Sequence, residues 1–178
     1  IPAWQGRVMT TSAAGDEGDS YGWINYSFIK KRQIDLQFNP VGGEERFWLG
    51  PEGGVFSLYF RQGEKQIYKN WKVPPVLDIE AFKIQSQSKN CICLTKEGCL
   101  TNACGTTFYL NIKRTISLLD INEFAASFNL EFPKDIKAVA YKSDNQITNI
   151  GNESWNKETG LISVWMLSMF NPTSATTV

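Results

Sequence analysis

"TTFYLNIKRTISL" (Thr106–Leu118) places Phe108, Leu110, Ile112, Arg114 and Ile116 at every second position. A strand sends alternate side chains to one face, whereas a helix, with its 3.6-residue period, would scatter this set around its axis. The segment therefore reads as a β-strand with one apolar face. Arg114 is the one charged member of the set.

Working outward, the same chemistry recurs. "FSLYF" (Phe56–Phe60), "FKIQS" (Phe82–Ser86), "CICLT" (Cys91–Thr95), "IKAVAYKS" (Ile136–Ser143), "NQITNIGN" (Asn145–Asn152) and "LISVWMLSMF" (Leu161–Phe170) are rich in β-branched and aromatic residues. The breakers "RQGEK", "KVPPV", "KEG", "SDN" and "KETG" separate them. Many short strands with closely spaced turns predict an all-β, antiparallel sandwich or barrel. One short helix is expected near 120–130. There "DINEFAASFNL" offers Asp120 as cap, Glu123 three residues on, and Phe124 and Phe128 on one face. With 178 residues, no internal repeat and no boundary signal, the chain reads as one domain over 1–178.

Composition narrows function by exclusion. Basic and acidic residues balance at 18 each with no basic block, which argues against a nucleic-acid partner. No apolar run approaches the roughly 20 residues of a membrane-spanning helix. "IPAWQGRVMTT" shows no charged start followed by an apolar stretch, so no signal peptide is visible. Histidine is absent. That excludes Ser-His-Asp and Cys-His catalysis within these residues and removes the side chain that titrates near neutrality. The cysteines (Cys91, Cys93, Cys99, Cys104) have C-x-C-x5-C-x4-C spacing, without the C-x-x-C knuckles of structural zinc sites. Cys91 and Cys93 would share one strand face. Packed thiols are the plain reading, with a metal site or a disulfide as alternatives.

"GGEERFWLGPEGG" (Gly42–Gly54) is the densest motif. Its glycine pairs read as loop punctuation, Phe47, Trp48 and Leu49 as a core anchor, and Glu44, Glu45, Arg46 and Glu52 as a polar cluster. Carboxylates accept two hydroxyls each and a guanidinium donates in a planar fork, the chemistry that holds a sugar. The alternative is a structural loop in which Arg46 pairs with a glutamate; calcium held by the carboxylates is a further one.

Several stretches together resemble a family of uncharacterised bacterial proteins, common in Bacteroides and its relatives, with the galactose-mutarotase-like fold. They are "QGRVMTTSA" (Gln5–Ala13), "YGWIN" (Tyr21–Asn25), "GGEERFWLGPEGGVFSLYF" (Gly42–Phe60), "NWKVP" (Asn70–Pro74), "FYLNIKRTISLL" (Phe108–Leu119) and "WNKETGLISVWMLSMFNPTSATTV" (Trp155–Val178). The resemblance implies a large antiparallel sandwich that binds carbohydrate in a concave groove. It also implies a periplasmic or otherwise exported protein of glycan metabolism. Such proteins are longer, so the resemblance casts this chain as the N-terminal portion of a supersandwich, incomplete at its C-terminal end. A C-terminal remainder or partner segment would complete it. In aldose 1-epimerases a glutamate base works with histidines, and here the histidines are missing and the base would lie beyond Val178. The expected function is therefore carbohydrate binding. An epimerase-like or lyase-like activity through Glu45, Arg46 or a tyrosine, and a purely structural or interaction domain, are the alternatives.

The expected substrate-binding residues are Glu45, Arg46, Glu52, Arg7, Asn25 and Trp23, with at least two of the first three lining one pocket. Trp23 can stack on a pyranose while Asn25 reads its hydroxyls. Core packing for Trp23, and pairing of Arg7 with a loop glutamate, are the bland alternatives. Trp165 is expected in the core. The reading calls for no metal and no cofactor.

Overall fold

Strand alternation and a few long apolar runs build two antiparallel sheets in a computed structural model that describes residues 2–177. Strand β1 (Arg46–Gly50) pairs with β6 (Ser163–Leu167). The other sheet runs in sequence order through β2 (Lys83–Gln87), β3 (Cys91–Thr101), β4 (Thr107–Leu118) and β5 (Tyr141–Asn149). The fold is all-β and sandwich-like, as expected.

β3 and β4 form its centre. Ile92 stands opposite Ile116, Leu94 opposite Arg114, Lys96 opposite Ile112 and Leu100 opposite Phe108, and all eight are buried. Each fully buried Leu, Ile or Phe here stabilises the fold by about 1.5–3 kcal/mol. The outer face carries Cys91, Cys93 and Cys99 against Ser117, Thr115 and Tyr109. Cys91 and Cys93 do share a face, and all four cysteines are free thiols.

The single short helix expected near 120–130 is α3 (Ile121–Ser127). Asp120 caps it, accepting from the backbone N–H groups of Asn122 and Glu123 at 2.8 and 3.1 Å. Two one-turn helices, α1 (Tyr26–Ile29) and α2 (Pro75–Asp78), were not anticipated. At four residues each they are too short to show a period.

Four other expectations are corrected. "RFWLG" is a strand with every residue buried, not a loop centre. "FSLYF" is irregular: Ser57–Phe60 are buried in succession, and turn bonds such as Leu58 N–H to the Pro51 carbonyl replace a ladder. "KEG" and "SDN" do not break the chain, since β3 and β5 run through them. Lys96 tolerates this position because its ammonium donates to the carbonyls of Val76 (2.6 Å) and Glu80. "IKAVA" is not strand until Tyr141.

Candidate functional site

β1 is buried on both sides, and Arg46 at its start and Glu45 just before it point into different layers. Arg46 goes with Trp48. Its guanidinium lies 4.1 Å from the Trp48 ring centre and 5.5 Å from that of Phe38. Its Nη2 donates to Asp78 Oδ1 at 2.6 Å. Asp78 sits at the end of α2 and gathers more donors, namely Gln5 Nε2 at 2.7 Å, the Asn39 backbone N–H at 2.8 Å and Asn39 Nδ2 at 2.7 Å. Both partners of the ion pair are 1 % exposed.

Glu45 goes the other way. It accepts from Arg114 of β4 and, at 2.8 Å, from Ser143 Oγ of β5. Arg114 is therefore the charge on the apolar face of 106–118, and Glu45 is its partner. Burial pushes the guanidinium pKa values of Arg46 and Arg114 down from the ordinary arginine range, while Asp78 and Glu45 pull them back up. Arg7 is wholly buried and donates to the Gly42 carbonyl, not to a loop glutamate. Burial, then repulsion from Arg46, brings its pKa down to about 9.

Asn25 has a local job. Its side chain caps α1, accepting from the Phe28 N–H at 3.1 Å, and donates to the Pro40 carbonyl at 3.0 Å. Trp23 is 38 % exposed, and its backbone carbonyl accepts from the Gly43 N–H at 2.8 Å. Trp165, expected in the core, is 39 % exposed; it rests edge-on against its register partner Trp48 at the sheet margin.

Glu45 and Arg46 are buried in ion pairs with different elements, Glu45 with Arg114 and Arg46 with Asp78, whereas Glu52 opens onto a cleft. Glu52 borders an open cleft of about 320 Å³ with Phe60, Gln66, Ile67, Tyr68 and Trp71. Trp48 Nε1 donates to Glu52 Oε1 at 2.7 Å and holds the carboxylate in place. Ser57 Oγ donates to the Glu52 backbone carbonyl at 2.6 Å, and no second donor to the carboxylate is found among the described residues, so Oε2 is free to accept. Gln66 is tied on both sides of its amide to Gly54, at 2.7 and 2.8 Å, which ties the cleft wall to the Gly53–Gly54 turn.

Beneath the cleft runs a column of rings. Trp48 stacks on Tyr59 (5.6 Å, 26° between planes), Tyr59 on Trp71 (5.6 Å, 7°), and Trp71 on Tyr68 (6.2 Å, 15°). The column starts in the core and ends at Tyr68, which is 75 % exposed. Its interior is polar only where it must be: Tyr59 Oη donates to the Leu49 carbonyl at 2.6 Å. The arrangement presents a flat aromatic surface with a fixed hydrogen-bond acceptor at its margin. That combination receives a ligand with one apolar face and a hydroxyl edge.

Sequence reasoning missed Asp78, Tyr68 and Trp71. Asp78 is the partner of Arg46 but lies 32 positions away in a one-turn helix with no motif. Trp71 lies in "NWKVP", where neighbouring "KVPPV" read only as a breaker.

No match was found among curated proteins, and none among solved structures. One family model matches the chain throughout residues 1–178, that of DUF6786, described as a family of unknown function. A motif whose charges brace two layers of one sandwich, with an aromatic cleft at its end, is thus the local architecture of a protein that belongs to the DUF6786 family.

Proposed function

We propose that the chain binds carbohydrate, with the exposed ring of Tyr68, backed by Trp71, as platform and Glu52 as hydroxyl acceptor. The observation that carries this reading is the ring column ending at an exposed tyrosine beside a carboxylate held by Trp48. Pyranose rings offer an apolar C–H face to aromatic rings and hydroxyls to carboxylates. The cleft contributes a single carboxylate, so binding is proposed ahead of turnover. The galactose-mutarotase-like relationship and an exported, glycan-foraging context belong to the same proposal. So does a partner segment along β6, whose neighbourhood exposes Leu161, Val164 and Trp165.

Arg46, Glu45 and Arg7 take a different part in this reading. At 8 % exposure or less they hold β1 between its neighbours and leave recognition to Glu52.

The test is a panel of mono- and oligosaccharides titrated while tryptophan emission and tyrosine chemical shifts are followed. Trp71→Ala and Glu52→Gln should each weaken binding about tenfold, which is roughly 1.4 kcal/mol. A panel with no response at millimolar concentrations would defeat the proposal. So would binding that survives both substitutions unchanged.

A further inference from the structure

A second cavity, of about 540 Å³, opens at the other end of the motif, walled by Thr11, Tyr21, Glu44, Tyr141, Phe170 and Asn171 among others. Glu44 is the unusual member. It is 1 % exposed, and its Oε1 is occupied by the backbone N–H of Thr11 and, at 3.0 Å, by Thr11 Oγ1. Among the described residues no donor reaches its Oε2, and no lysine or arginine lies within ion-pair distance. A carboxylate taken out of water without a cation is costly, and buried charges are ordinarily paired. The other glutamate of this strand entry, Glu45, obeys that rule through Arg114.

The wall around Glu44 is built, not loose. Gly22 and Phe170 form an antiparallel bridge, and Asn171 Nδ2 donates to the carbonyls of Ser20 (2.8 Å) and Gly22 (3.1 Å). Gly22 lies so close that a Cβ there would stand 3.0 Å from Glu44 Cγ and 2.1 Å from the Met9 carbonyl. The 20–22 segment is thus closed onto the carboxylate stem, and only glycine fits. Tyr21, Tyr141 and Phe170 supply the aromatic part of the wall, Ala138, Val139 and Pro172 add aliphatic surface, and no cationic side chain contributes to it. Burial, with the negative charges of Glu45 and Glu44, moves the Tyr141 hydroxyl up to about 12. Arg114 offsets part of that effect and is paired with Glu45, so the one carboxylate here without a cation is Glu44, in a mostly apolar lining.

We infer that this cavity binds an organic cation through a primary ammonium group, with Glu44 as counter-ion and Tyr21, Tyr141 and Phe170 enclosing the carbon chain. A primary ammonium brings three donors to an oxygen that lacks one, and aromatic walls favour a cation over a neutral chain. The site is separate from the Tyr68 cleft and shares no residue with it, so the two proposals stand or fall independently.

The experiment is a two-dimensional NMR titration of the whole chain with n-butylammonium chloride. n-Butanol serves as neutral isostere and sodium chloride as ionic control. Butylammonium should shift resonances of Thr11, Tyr21 and Phe170, and butanol should do so at least about tenfold more weakly. Glu44→Gln should remove that preference. Phe170→Ala, at a residue 57 % exposed and so harmless to the core, should weaken butylammonium binding while leaving the fold intact. Equal binding of butanol, shifts reproduced by sodium chloride alone, or no shifts at this cavity would each overturn the inference. Because Phe170→Ala reads the same site, the inference stays testable if Glu44→Gln does not fold.

Discussion

Asp78→Asn isolates what the buried Arg46 pair is worth. Asparagine keeps the shape of the side chain but turns one of its two oxygens into an NH2. In the native chain Oδ1 faces Arg46 Nη2 and Gln5 Nε2, and Oδ2 faces the Asn39 N–H and Nδ2. Whichever way the new amide turns, it sets a donor against two donors. Arg46 also loses its counter-charge while remaining 1 % exposed. Removing one member of a buried ion pair costs about 3–5 kcal/mol, because the other charge stays buried. Against a total stability of about 5–15 kcal/mol that is a large share. For a chain of this length it corresponds to a melting temperature lower by about 6–20 °C. Urea denaturation of Asp78→Asn, Arg46→Met and the double variant gives the measurement. Arg46→Met should cost less than Asp78→Asn, since Asp78 keeps three other donors. The double variant should cost less than the sum by about 1–3 kcal/mol, because no charge is left stranded. A loss below about 1 kcal/mol for Asp78→Asn, or strict additivity, would refute the reasoning.

Two more outcomes follow from buried groups and close approaches. Burial raises the phenol pKa values of Tyr59 and Tyr141, the latter to about 12. The unfolded phenols release their protons near pH 10, so above that pH the unfolded state binds fewer protons and stability falls as pH rises from about 10 toward 12. Absorbance at the phenolate band, followed with and without guanidinium, should show two tyrosines ionising late only in the folded chain, and their ionising with the rest would contradict the burial described. At Gly98 an added Cβ would stand 2.5 Å from Val76 Cγ2, so Gly98→Ala should cost about 1–3 kcal/mol by overpacking. Val76→Ala in the same chain should recover part of that loss in thermal denaturation, and no recovery would place the clash elsewhere.

What could be read beforehand was whatever depends on neighbours in sequence. The period-two pattern of 106–118 and the cap at Asp120 are local, and both reappear as β4 and α3. "RFWLG" escaped because a strand covered on both faces has no alternation to detect. "FSLYF" misled for the converse reason: its aromatic residues are there to fill space beside β1, and propensity does not distinguish that role from pairing in a ladder. Glu52 was visible because it is followed by a glycine pair. The rings that complete its cleft were not, since stacking between Trp48, Tyr59, Trp71 and Tyr68 joins three separate stretches of chain. Arg46 and Glu45 were read as parts of a polar cluster that holds a sugar, with pairing of Arg46 to a glutamate as the alternative. Their partners, Asp78 and Arg114, lie in other elements, and only the fold brings them in.

The covering of β1 on both sides has a consequence for how this stretch can change. In an ordinary half-exposed strand, alternate positions drift freely and the pattern is kept by only half the residues. Here Arg46, Phe47, Trp48, Leu49 and Gly50 are all enclosed, so no position in the run is a spectator. A saturation scan should find five adjacent intolerant columns instead of a comb. A replacement at Arg46 would need its repair near Asp78, and one at Phe47 near Arg114. The two repairs would arise in different parts of the gene, and neither would help the other.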